Sequence, residues 1–343
     1  MQNFNILNIY FYSSKRDYED LFENSFMRRN LKASLELNDY RYISNPIDEN
    51  IRVVWFINYE EFNKFSYFKG KKFITATSLF FADSEEKGKL LYKIKDKETG
   101  KEYFDIKLNS IKQINEYDYV FVPCEEAKKF LISRGITSKI LTMDIPLKQT
   151  KLDIKGTQNS KLVYIYFHLE ENTKYFYTLL DADDFEAAKR IREFAETFND
   201  YKIIVVSKDI LKNRMTKKIF KKSPTNLVFT NIVGEDIYAS LVYNSCGYLA
   251  LSSYYGQTIE LSEAMCIGKP IFALSTNSFK DILIDKETAY VYNNFAQLID
   301  GVTAFNSNKL PSIKDKQIEF SKKNSVKVVG KEIIDLYKKI IEV

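Results

Sequence analysis

The stretch GYLALSSYYGQTIELSEAMCIGKPIFALS, residues 247–275, decides the fold. GYLALSS (247–253) and KPIFALS (269–275) are short runs rich in apolar residues, as strands covered on both faces must be. Between them the spacing predicts a helix over 258–267: Thr258 is a fair N-cap, Gly268 suits the position just past the last turn, and Pro270 stops continuation. At 100° per residue, Leu261, Ala264, Met265 and Gly268 share one face, while Ile259, Glu260, Glu263 and Ile267 fall on another. A strand whose following loop, here YYGQ, delivers backbone amides to a helix start is the corner where α/β sheets bind phosphate. A carboxylate one turn further on would not touch an anion, but it could accept hydrogen bonds from vicinal ribose hydroxyls. The pattern alone also fits a solvated glutamate on an ordinary capped helix.

The same alternation extends in both directions. Strands are expected at 6–12, 51–57, 71–78 and 117–123, and again at 161–169, 201–207 and 226–232. Helices fit between them, notably 125–135 and 184–199, and VGKEIIDLYKKIIEV (329–343) closes the chain with an apolar stripe. Repeated strand–helix alternation argues for doubly wound parallel sheets. The aperiodic, polar KQTKLDIKGTQNS (148–160) reads as a linker. The expected division is a domain over 1–148, a linker over 149–160, a second domain over 161–322 and a terminal helical segment over 323–343 that returns to the first.

Composition narrows the class. A chain of 343 residues, 45% hydrophobic and 15% aromatic, is folded and long enough for two cores. No apolar run approaches the roughly 18 residues that span a bilayer. The first residues, MQNFNILNIYFYSS, lack a basic region and a small-residue cleavage site, so they read as a strand and not as a leader. Cys124, Cys246 and Cys266 form neither a disulfide framework nor a zinc spacing, which suits a reducing cytoplasm. The net charge of +5 is local in origin and accompanies no nucleic-acid motif, so no nucleic-acid partner is expected.

Residues 226–273 resemble the donor-binding half of GT-B glycosyltransferases, in particular the retaining enzymes of glycosyltransferase family 4. Leu261, Glu263, Ala264, Met265, Gly268 and Pro270 match the family's helix motif, and VGEDIYASLVYNS matches the short helix before it. Residues 117–147 resemble the end of the family's first domain, and LYKKII its closing helix; residues 1–110 match in layout only. The resemblance implies two Rossmann-like domains facing a cleft, and transfer of a hexose from a UDP-sugar. It gives Glu263 the ribose hydroxyls, the amides of Gln257, Thr258 and Ile259 the diphosphate, and Tyr255 and Gly256 the border of the donor sugar. The loop from Ile232 to Gly234 would hold the base. With amides and a helix dipole stabilising the departing diphosphate, no metal or cofactor is required beyond the UDP-sugar itself. Short members that glycosylate membrane diacylglycerol lipids have a similar length. They point to a glycerolipid acceptor and a peripheral position on the inner face of the plasma membrane; a soluble glycan or a protein is the alternative acceptor.

Several positions depart from the family. Tyr255 stands where a sugar-contacting glutamate is usual, eight residues before Glu263. For the usual phosphate-binding Arg and Lys, only Lys174 and Lys208 are available, and both read equally well as surface lysines. Tyr255 and Lys174 are therefore the catalytic candidates. His168, the only histidine, is expected at the carboxyl end of the 161–169 strand, facing the donor or structural. These losses leave open a non-catalytic GT-B subunit that partners an active transferase. Asp181, Asp183 and Asp184 imitate a metal-binding DxD, but their place before a helix favours capping. Two basic–apolar stretches suit an anionic membrane surface or simply a solvated helix face. One is 20–37, with Phe22, Phe26, Arg28 and Arg29; the other is 208–222, with seven Lys/Arg against one Asp.

Overall fold

In the computed structural model of the chain, the described residues are 5–12, 24–45, 47–56, 67–75, 91–95, 102–106, 108–122, 125–143, 160–180, 184–207, 214–231, 233, 235–251, 258–275 and 283–341. For some of these, including 24–29 and 258–260, the backbone alone is described. The chain divides into two compact units, one of residues Met1–Pro146 with Val326–Val343, the other of Leu147–Ser325. The boundary before the terminal helix thus falls at 325/326, where the sequence suggested 322/323.

The first unit is built on a parallel sheet of β2 (Ile9–Tyr12), β4 (Val53–Phe56), β5 (Lys71–Thr75), β8 (Tyr119–Val122) and β9 (Lys139–Thr142), in that order. The expected strand over 6–12 is broken in two, with β1 (Asn5–Ile6) pairing β3 (Tyr40–Arg41) in parallel. The Ile43 amide continues that pairing by donating to the Ile9 carbonyl at 2.9 Å. β3 therefore lies outside the broken first strand β1–β2, and the remaining strands follow on its other side, which is the doubly wound pattern. A hairpin, β6 (Leu91–Lys95) with β7 (Glu102–Ile106), is inserted between β5 and β8. The core is aromatic: Trp55 stacks on Phe121 at 4.8 Å and meets Phe73 edge-on at 5.5 Å. Helix α1 (Asn24–Glu36) packs against the terminal helix Val326–Ile341, whose Val329, Ile333, Ile334 and Tyr337 are buried.

The second unit holds a six-stranded sheet, all of it parallel. Its order is β12 (Leu227–Thr230), β11 (Lys202–Val206), β10 (Tyr175–Leu179), β13 (Gly247–Ala250), β14 (Ile271–Leu274), β15 (Tyr290–Tyr292). Numbered from the first strand of the unit this is 3-2-1-4-5-6, the Rossmann order, and its winding reverses between β10 and β13. Two helices, Phe185–Thr197 and Phe295–Asn306, cover one face through Ala187, Ile191, Phe194, Leu298 and Val302. Asp184 caps the first of these, accepting from the Ala187 amide at 3.0 Å, as its place in the sequence suggested.

One expected strand is a helix. Residues 161–169 do not enter the sheet; Ser160–Tyr166 is helical and packs on the helix Glu235–Asn244. Val163 within it and Phe167 just past it, four apart, are buried, whereas Ile165 between them is 72% exposed. The central position belongs to YFYTL at 175–179, where Tyr175 and Tyr177 face one layer of helices and Phe176 the other core. Two adjacent β-prone runs competed for one position. The run that can bury large side chains on both faces occupies it.

Candidate functional site

The carboxyl ends of β10 and β13 mark the point where a doubly wound sheet opens a crevice for ligands. Their backbone register covers Phe176–Gly247 and Tyr177–Tyr248. One residue further, the Thr178 hydroxyl donates to the Leu249 carbonyl at 2.7 Å, so a side chain takes over the link between the strands. The Leu251 carbonyl, just past β13, accepts from Arg190 Nη1 at 3.1 Å. The sequence reading missed Arg190. Its signal was a cation on the apolar stripe itself, three after Ala187 and four before Phe194. Arg190→Ala is expected to lower the unfolding free energy by about 1–3 kcal/mol, because a buried carbonyl loses a charged donor. Urea denaturation measures this, and an unchanged midpoint would show that the bond carries no weight.

From β13 the chain passes through 252–257 into the helix Thr258–Cys266. Leu261, Ala264 and Met265 are buried, which is the face the sequence assigned to the interior. The helix ends as expected. Gly268 has φ of 70°, its amide donates to the Met265 carbonyl at 3.0 Å, and the Lys269 amide donates to Ala264 at 2.9 Å. A β-carbon on Gly268 would also run into the Lys314 side chain, from the helix Lys314–Lys323 that packs alongside. Glu263 is half-buried, with its Oε2 withdrawn from solvent. The helix thus begins beyond the strand that borders the switch point, with Glu263 five residues in.

Of the residues expected at the donor, Thr258 and Ile259 are the first two of this helix. Tyr255, Gly256, Gln257, Ile232 and Lys208 lie outside the described residues, as do Gly234, Asp181, Asp183 and Phe22. Phe26, Arg28 and Arg29 lie on helix α1, where only the backbone is described.

Two assignments are corrected. Lys174 precedes β10, and its carbonyl accepts from Lys202, the first residue of β11. It is therefore at the amino edge of the sheet, opposite the crevice, in a neighbourhood with Cys246 and Lys269. There burial pushes the Cys246 thiol up and the Lys269 ammonium down, and Lys174 and Lys269 partly offset the shift of the thiol. His168 is not at a strand end. It ends the helix Ser160–Tyr166 in the left-handed region, φ 51°, with the Leu169 amide donating back to Tyr164 at 2.8 Å. Both errors follow from the displaced strand.

Among the described residues, no group of three or more His, Cys, Asp and Glu could hold a metal ion. No described helix is long and apolar enough to cross a membrane.

The sequence matches no protein-family model and no curated protein. Solved structures do match. A glycosyltransferase from Rickettsia africae is 12% identical over 99% of each chain, with a TM-score of 0.64. Anabaena Alr3699/HepE, solved with UDP and glucose, is 9% identical over 98% of this chain and 100% of its own, with a TM-score of 0.70. Sucrose-phosphate synthase from Thermosynechococcus elongatus is 11% identical over 95% of this chain and 80% of its own, with a TM-score of 0.66. The chain has the GT-B fold, with two Rossmann-like α/β units.

Proposed function

We propose that the protein is a glycosyltransferase that binds a UDP-sugar in its second unit and transfers the hexose, with retention, to an acceptor held by the first. The observation that carries this is the helix Thr258–Cys266, which starts beyond the strand at the sheet's switch point and holds Glu263 in its second turn. Amides at a helix start stabilise the charge that develops on a departing diphosphate, without a metal. A carboxylate further along the same helix accepts from the ribose hydroxyls. HepE, of the same fold, has been solved with UDP-glucose. The acceptor we favour is a membrane glycerolipid, such as diacylglycerol or its monoglycosyl form, on the cytoplasmic leaflet. Retention and this acceptor rest on the resemblance to family 4 and its short lipid-modifying members.

The displacement of Lys174 from the crevice favours a second reading, a GT-B subunit that has lost catalysis and serves an active partner. Against it stand the helix start at Thr258 and Glu263, which would hold a nucleotide largely without cationic side chains. Tyr255 also retains a hydroxyl, which can donate or accept one hydrogen bond to a sugar. Mass spectrometry of purified protein with a panel of UDP-sugars and lipid acceptors separates the readings. Transfer is expected, and Tyr255→Phe is expected to lower turnover more than UDP affinity. UDP binding with no sugar released or transferred would establish the subunit. Transfer to soluble glycans alone would replace the lipid acceptor.

A further inference from the structure

Of the basic stretch at 208–222, residues 214–222 are described, and they present two faces. Helix Arg214–Ile219 turns Thr216 fully inward, and Ile219 and Phe220 pack on the core of the second unit. The charged residues among 214–222 face out. Arg214, Lys217, Lys218, Lys221 and Lys222 are all exposed, with no acidic residue anywhere in 214–222. Among the described residues none of the five is in an ion pair. The neighbouring Arg192, by contrast, is occupied by Glu196 at 2.9 Å and the Ile219 carbonyl at 3.0 Å.

Two apolar side chains are exposed within this cationic field. Met215 is 53% exposed, and Phe229, 37% exposed, meets Phe220 edge-on at 4.8 Å between ring centroids. Phe229 belongs to β12, the outermost strand of the sheet. Met215 lies off the face that buries Thr216, and lysines alone would suffice to protect a sheet edge; it is the exposed Met215 and Phe229 among them that a solvated edge does not require. Unopposed lysines around exposed apolar side chains instead match the interface of an anionic bilayer, where the charges meet lipid phosphates and the apolar groups enter the headgroup layer.

We infer that this edge of the second unit, the Arg214–Lys222 segment with β12, is a docking surface for an anionic phospholipid bilayer. The purpose of the surface rests on the membrane-lipid acceptor proposed above, and it assigns the contact to the nucleotide-binding unit itself. Five cations brought to one leaflet act together, each contributing about fivefold in partitioning at low salt, and the effect fades as the Debye length shrinks.

The test is co-sedimentation of the full chain with vesicles of phosphatidylcholine alone and of phosphatidylcholine with an equal part of phosphatidylglycerol. The wild type is expected to bind only the anionic vesicles and to release as salt is raised. A fourfold variant (Lys217→Gln, Lys218→Gln, Lys221→Gln and Lys222→Gln) is expected to lose at least ~10-fold in partitioning. Its melting temperature and UDP affinity should remain those of the wild type. Met215→Ser, with every charge kept, should weaken binding several-fold without altering the salt dependence. Equal sedimentation of wild type and fourfold variant would overturn the inference. So would indifference to vesicles combined with binding to a soluble polyanion such as polyphosphate. The outcome is separable from that of the catalytic reading. Sugar transfer to detergent-dispersed lipid without vesicle binding would defeat only the docking surface, while lysine-dependent vesicle binding without transfer would uphold it and defeat only the enzyme.

Discussion

Replacing Glu263 by alanine is expected to weaken UDP binding by about 1–3 kcal/mol, roughly fivefold to more than a hundredfold. The loss would be of a charge-assisted hydrogen bond to ribose, stronger than a bond between neutral groups. Its position carries the argument. Thr258 opens the helix, and Glu263 lies about 7.5 Å further along the axis at 1.5 Å per residue. That is too far for the carboxylate to oppose an anion bound at the helix start, and near enough to reach the adjoining part of the same ligand. Because Oε2 is withdrawn from solvent, the alanine variant also needs a melting curve beside its calorimetry. Glu263→Gln keeps the shape and one acceptor oxygen while removing the charge, and should fall between wild type and alanine. If all three bind UDP equally with unchanged stability, Glu263 is no ribose ligand.

How far the sequence reveals this site depends on the kind of signal. The helix at 258–266 was legible to within a residue because two local signals agree there: a buried face of Leu261, Ala264 and Met265, and the glycine–proline stop at Gly268 and Pro270; Thr258, read as its cap, is its first residue. The same holds for Asp184 and its helix. Strands flanked by clear breaks, such as Lys202–Val206 and Ile271–Leu274, were placed within two residues. Periodicity failed between 161 and 179, where two β-prone runs, 161–169 and 175–179, are separated only by Glu170–Lys174. Both satisfy the local preference, and the choice depends on how many large side chains each buries on two faces, which is a tertiary quantity. Assigning the wrong run to the sheet put Lys174 and His168 at the carboxyl end of a strand, where neither lies: Lys174 precedes β10 and His168 follows a helix. Arg190 shows the converse: its role is a bond to a carbonyl 61 residues away, which no local pattern encodes.

Gly330→Leu is expected to prevent the first unit from folding, and Gly330→Ala to destabilise it measurably. Gly330 is buried in the terminal helix Val326–Ile341, where a β-carbon would meet the Ser34 carbonyl of helix α1 and the Asn38 amide nitrogen. Neither group is free to move. The Asn38 Nδ2 donates to Ser34 at 2.8 Å and to the Lys327 carbonyl at 2.9 Å, tying the two helices together at this crossing. Nearby, the Tyr337 hydroxyl accepts from the Asn8 amide at 3.2 Å, which ties the helix to the start of β2. A wider crossing would stretch these bonds and uncover Val329, Ile333 and Ile334. Alanine gains about 1 kcal/mol over glycine in an unstrained helix interior. Overpacking against fixed groups costs about 1–3 kcal/mol and here presses on a backbone carbonyl, so the net sign is destabilising. At about 2–4 °C per kcal/mol for a unit of this size, the alanine variant should melt several degrees lower. Lys331→Ala, one residue on and exposed, is the control and should leave the transition in place. A Gly330→Ala protein that melts with the wild type would mean that the helices are not in contact at this point, and that the terminal helix is not part of the first unit's core.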